Sequence, residues 1–318
     1  MRPLKPRQDN ERGGISVIVG LLMVVLLGFT AISVDVGMLY SEKAQLQNGA
    51  DAAALLVAHK CAKNETHADC TTTTTAASIL NGNALDGRSN LKSLALDLTN
   101  DTVTVTAGAQ QQGEDENKVS LFFAQALGIS STEVTASSRV EWGIPSGGDI
   151  ILPLAIAQCK LNLGSGSAGT EQVLDMDSGG CGEIPGGFGW IEDGDGKCSV
   201  TIAAGQASDP GIWFTSDTGA NVPAPCTDAD VNKLNDQTVL LPLYDVATGE
   251  GSSGKYYVKG FAAFHVTGYK FESHSWTSGG NIKNKTIRGY FVEFVSLSAA
   301  LKLGGTEDYG ATIVRISQ

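Results

Sequence analysis

The chain has 318 residues, 42% of them hydrophobic and 18% charged, which is enough to bury one large core or two ordinary ones. Its net charge of −12 is uneven: Arg2, Lys5, Arg7 and Arg12 outnumber Asp9 and Glu11 among the first fourteen residues, leaving −14 on the rest. An acidic body of this kind excludes nucleic acid as a partner, because the phosphate backbone selects clustered cations.

The first element in chain order is an apolar run. Residues 15–34, ISVIVGLLMVVLLGFTAISV, carry no formal charge. A helix of twenty residues rises about 30 Å, the thickness of a bilayer's hydrocarbon core. The cations before the run, with Asp35 and Glu42 after it, put residues 1–14 in the cytoplasm and everything beyond Asp35 outside. Ala31-Ile32-Ser33 offers a small-residue cleavage site, so a signal peptide is the rival reading. Both export the same ectodomain.

Residues 35–60 continue as a stalk helix, since no proline occurs between Pro6 and Pro145. Leu39, Leu46, Ala50, Ala53 and Val57 recur at helical spacing, interrupted by Lys43. The alanine-rich stripe suits a neighbouring helix, which would make it a surface for homo- or hetero-oligomers, or the protein's own globular part. Asp35 reads most simply as an interfacial charge marking where the lipid stops, and more sharply as a pairing or assembly residue.

These segments carry a family resemblance. Glu11-Arg12-Gly13-Gly14, then the apolar span, then Val34-Asp35-Val36-Gly37-Met38-Leu39-Tyr40, then Gln45-Leu46-Gln47-Asn48-Gly49-Ala50-Asp51-Ala52-Ala53-Ala54-Leu55 resemble the N-terminal domain of TadE/TadG-like proteins of the tight-adherence (Flp) pilus assembly system. The resemblance covers roughly residues 11–60. It implies a bitopic protein of the bacterial inner membrane with a structural or interaction role rather than a catalytic one. Pilus-assembly proteins or pilin subunits are the partners it implies. Prepilins of the type IV kind are clipped after a glycine and carry glutamate at the fifth mature position. Here that position is Val19 after Gly14, or Ile18 after Gly13, which favours an unprocessed TadG-like protein over a true pilin.

The exported part divides into a small α+β module, residues 61–146, and a β-rich disulfide-stapled domain, residues 147–318. In the first, a short helix is expected around Ala76–Leu80, a β-hairpin over residues 94–106 turning at Asn100-Asp101, a helix over Lys118–Leu127 and a strand over Thr132–Val140. Twenty-seven of the 39 glycines fall from Gly147 onward, as turn-rich β structure requires. Strands are expected at Ile150–Ile156, Cys198–Ile202, Val239–Val246, Tyr256–Phe271, Ile287–Leu297 and Ala311–Ile316, with Tyr256–Phe271 central and covered on both faces. The fold class is α+β, a transmembrane and stalk helix followed by a mainly antiparallel β-rich ectodomain in the form of a sandwich or barrel.

Cys61, Cys70, Cys159, Cys181, Cys198 and Cys226 all follow the span, and an even count on the exported side indicates disulfides. Locality favours Cys61–Cys70 and Cys181–Cys198, leaving Cys159–Cys226. No catalytic, metal or cofactor site is expected. Asp175-Met176-Asp177-Ser178-Gly179 only approaches a metal-site signature, and Glu192-Asp193-Gly194-Asp195-Gly196 lacks the later glutamate of a calcium loop. His265 and His274 have no nucleophile motif nearby. Phe188 and Trp190, in an aromatic loop between Cys181 and Cys198, are candidate partner contacts. The alternative function is an exported adhesin, or a ligand-binding or hydrolytic domain, on the same anchor.

Overall fold

The computed structural model describes residues 12–70, 73–162, 168–176, 179, 181, 187–192, 198–203, 212–216, 222–224, 226–249, 253–295, 302–305 and 309–317. One helix, α1 (Arg12–Lys63), runs for 52 residues without interruption, about 78 Å at 1.5 Å per residue. Its first half stands clear of the rest, with side chains such as Leu26 and Phe29 about two-thirds exposed. Its second half is buried along one face from Leu46 to Cys61.

α2 (Thr74–Asn83) packs beside α1 and buries Ala76 and Leu80. β1 (Ser89–Asp97) and β2 (Thr102–Ala109) form the antiparallel hairpin that turns at Asn100-Asp101. β3 (Lys118–Ser120) and β4 (Ser131–Glu133) pair as a small separate hairpin, and β5 (Thr135–Gly143) returns to pair with β2. The chain continues through β6 (Pro145–Ile150), β7 (Leu154–Ala157), β8 (Glu171–Asp175), β9 (Phe188–Glu192), β10 (Val200–Ala203) and β11 (Ile212–Ser216). After the short α3 (Asp228–Val231) come β12 (Thr238–Thr248), β13 (Lys255–Lys270), β14 (Ser275–Thr277), β15 (Thr286–Phe291), β16 (Phe294–Val295), β17 (Lys302–Leu303) and β18 (Thr312–Ile316).

The first sheet has the order β1-β2-β5-β18-β16 and forms the floor under α1. Two of its strands come from residues 294–316, so the C-terminal part of the chain crosses the 146/147 division to complete the N-terminal module. The largest sheet runs β11-β9-β7-β12-β13-β15-β8. β11 pairs with β13 as well as with β9, which closes β7, β9, β11, β12 and β13 into a ring without free edges. β6 carries β10 and β17 in a third sheet. The 16-residue β13 separates two cores, with Phe261 and Ala263 in one and Phe264 and Val266 in the other. That is the two-sided burial its continuous apolar sequence demands. Across the ring, a Cβ on Gly189 would overlap the Tyr256 ring, so a larger residue there would require that ring to move.

Several expectations need correction. Residues 118–127 are not a helix: β3 occupies Lys118–Ser120, and only Ala124–Leu127 makes one short 3-10 turn. The helical spacing of Val119, Phe122, Phe123 and Leu127 presumed that these side chains face one core, yet Phe122 and Leu127 are 77% and 71% exposed. Of the disulfides, Cys61–Cys70 is as expected, but the others are Cys159–Cys181 and Cys198–Cys226. The antiparallel pairing of β7 with β9 explains the first exchange, because it brings the ends of those strands, and the cysteines flanking them, together. The aromatic loop at Gly186–Trp190 contains strand β9, and β8 and β11 are further strands beyond those expected. The acidic run after Glu192 lies outside the described residues.

Two stability predictions follow from this packing. Ala53 is fully buried between α1 and the sheet whereas Ala44 is exposed, so Ala53→Leu should cost about 1–3 kcal/mol by overpacking and Ala44→Leu less than about 0.5 kcal/mol, as read by denaturant unfolding in detergent. Asp101 holds a left-handed backbone, φ 50°, at the β1–β2 turn, where its carboxyl is pushed up by burial and then by Glu65 and Asp97, with a Trp142 hydrogen bond opposing. A raised folded-state value means stability is lost as pH rises through the carboxylate range. Asn tolerates the same backbone, so Asp101→Asn should stabilise the protein slightly at pH 7, by about 0.5 kcal/mol or less. The advantage should vanish on acidification below the ordinary carboxylate range.

Candidate functional site

The residues that single this chain out lie on α1, and the structure shows what each does. From Leu46 to Cys61 one face of the helix carries Leu46, Ala50, Ala53, Ala54, Val57, Ala58 and Cys61, all at most 2% exposed. Opposite them stand Val103, Val105 and Ala107 of β2, Val140 and Trp142 of β5, and Val314 of β18. Small side chains on the helix let its backbone approach the β-branched surface of the sheet, so the contact gains dispersion without voids. Gly49 does the same against α2, where an added Cβ would lie 3.2 Å from a Leu80 methyl. The disulfide Cys61–Cys70 ties the helix end to the chain that turns back from it.

Polar residues of the same helix fix its register on the module. Gln45 Oε1 accepts from the Leu85 amide at 2.7 Å, and Gln47 Nε2 donates to the Ser137 carbonyl on β5 at 3.2 Å. Asp35 sits one residue beyond the charge-free run and is only 4% exposed. Its two carboxylate oxygens accept from the backbone N–H groups of Phe122 at 3.1 Å, Phe123 at 2.9 and 3.3 Å, and Ala124 at 2.7 Å. These amides open the 3-10 turn and have no partner within it, so the carboxylate serves as a cap delivered from another element. Bonds to a charged acceptor are the stronger kind.

Asp35, expected as an interfacial charge at the end of the lipid or as a pairing residue, is buried and paired to three amides of its own chain. Desolvation without partners would be costly, and three amides compensate it. Leu46, Ala50, Ala53 and Val57 are buried by the molecule's own sheet, with Leu39 partly buried at the same interface, so this stripe is not available to a second chain. Trp190 is 1% exposed and packs edge-on against Phe271 at 5.5 Å, while Phe188 is half-buried on the same core. Alternation along β9 turns Trp190 inward and removes it as a partner contact. His265 bonds Thr238 and Asp236 at 3.1 Å each, and His274 pairs with Asp228 at 2.9 Å. Both hold loops to strand ends. Ala58, Gln45 and Gln47 were not assigned roles from sequence, although the ladder 46-50-54-58 repeats every four residues and was there to be found.

Asp35→Ala should release the loop without unfolding the module. The expected loss is about 1.5–3 kcal/mol, the scale of hydrogen bonds to a charged group. By hydrogen exchange the amides of residues 122–124 should lose protection while Val103 and Val105 in β2 keep theirs.

The first half of α1 is long and apolar enough to cross a membrane. No curated protein and no solved structure matches this chain. Residues 13–60, which take in both the apolar and the docked half of α1, are similar to the Tad family model, described as Putative Flp pilus-assembly TadE/G-like.

Proposed function

We propose that this protein is a TadG-like envelope component of an Flp-type pilus machinery, anchored once in the inner membrane and acting structurally on pilus-assembly proteins or pilin subunits. Residues 15–34 are the anchor, the N-terminus is cytoplasmic, and the β-rich body lies on the outer side. The observation that carries this reading is the coincidence of the matched segment, residues 13–60, with one rod that joins an exposed apolar half to a docked half. Three disulfides on the far side of the span favour an oxidising compartment, and the cations before it favour the same orientation. A non-catalytic role is favoured because three polar side chains of the matched segment, Asp35, Gln45 and Gln47, are committed to holding the rod on its module.

Two outcomes test the reading. Deleting the gene should leave pilin synthesised but no fibres on the cell surface, with assembly restored by the wild-type chain; fibres at normal density without it would overturn the role. Alkaline phosphatase fused after Gln318 should be active, and an inactive fusion with free thiols throughout the body would overturn the orientation.

A further inference from the structure

The loop that Asp35 captures is apolar, exposed and aimed along the rod towards the anchor. Residues 119–132 carry no formal charge between Lys118 and Glu133. Within that run Phe122 is 77% exposed, Leu127 71%, Ile129 53% and Phe123 38%. The direction follows from two levels on α1. At its root, Val119 shares a small cavity with Met38, Glu42 and Gln45, whereas residues 122–124 bond Asp35, nearer the span. The hairpin of β3 and β4 thus points down the helix, and its tip lies one residue from the end of the charge-free run. On the same stretch of helix Val36 and Tyr40 are 57% and 78% exposed.

We propose that residues 121–130 form a second, in-plane membrane contact, with Phe122, Leu127 and Ile129 entering the headgroup and acyl boundary of the leaflet that the anchor leaves. This rests on the anchor reading above. The occupant is lipid because the patch continues the surface of the span. Most of the loop's backbone N–H groups also have partners within the chain. Leu121 N–H donates to Ser130 O at 2.8 Å, Ala126 to Phe123 at 3.1 Å, Gly128 to Gln125 at 3.0 Å and Ile129 to Ala124 at 3.2 Å, while Asp35 takes the three amides between. A loop with unmet N–H groups could not enter the boundary cheaply. Phe and Leu are among the side chains that interfacial segments bury at that depth. The contact would hold the module against the membrane surface rather than letting it swing on its helix.

The test uses full-length protein alone in two sets of nanodiscs, with acyl chains brominated near the headgroup to read position 127 and near the chain ends to read position 26, following the emission added by a new tryptophan over wild type. Leu127→Trp should be blue-shifted and quenched by bromine. Leu85→Trp should be open to aqueous iodide, since Leu85 is 87% exposed and sits at the level of Gln45, about 15 Å further up the rod than Asp35. Leu26→Trp reports on the anchor itself. Quenching at Leu26→Trp with Leu127→Trp behaving like Leu85→Trp overturns the loop contact while sparing the anchor, and leaves that face to a protein. Bromine quenching at neither position 26 nor 127 overturns both.

Discussion

A single unbroken helix has to be buried twice, by two different media, and the rest of the molecule is arranged around that constraint. Its first half is uniformly apolar on all sides, which is stable only where water is absent. Its second half is apolar on one stripe and is covered by a sheet that the chain itself supplies. The change between these regimes falls at Asp35. A carboxylate left without partners at that point would be costly in lipid and in a packed interface, and the three amides of residues 122–124 compensate its desolvation.

The docked half explains the small residues of the segment that matches the family model. Ala50, Ala53 and Ala54 are good helix formers, but their burial at 0% exposure shows that their size matters as much as their propensity. The sheet beneath them is finished by β18 and β16, strands from the far end of the chain. The rod is therefore packed against strands from both ends of the ectodomain, β2 and β5 from one and β18 from the other. The Lys63–Glu293 pair at 3.1 Å adds a further link, weak because both groups are exposed. In the body itself, ring closure and the disulfides Cys159–Cys181 and Cys198–Cys226 stabilise strands separated by long glycine-rich connections.

What was legible in the sequence was local or periodic. The span of residues 15–34 declares itself by composition, and the stripe from Leu46 to Val57 by period. The β1–β2 hairpin shows in its alternation about Asn100-Asp101, and β13 in its unbroken apolar run. What was not legible depended on distance along the chain. Asp35 finds partners 87 to 89 residues away, and no local pattern announces them. The cysteines between residues 159 and 226 pair according to which strand ends meet, so nearest-neighbour reasoning exchanged them. Strand β9 was hidden because Gly189 must be small beneath Tyr256, which breaks the alternation a strand is recognised by. The misread helix at 118–127 is the most instructive case: its apolar residues do recur at helical spacing, but Phe122 and Leu127 face outward while Val119 faces the core.

The central claim is that α1 exchanges one burying medium for another at Asp35. A spin label placed at successive positions from residue 15 to residue 62 in nanodisc-embedded protein measures this directly, through relaxation by lipid-soluble oxygen and by a water-soluble nickel chelate. Oxygen access should be high on every face through residue 34. Beyond Leu46 both reagents should be excluded with a 3.6-residue period, with minima at residues 50, 53 and 57. A helical period of protection already present between residues 15 and 34, or uniform nickel access beyond Leu46, would contradict the account.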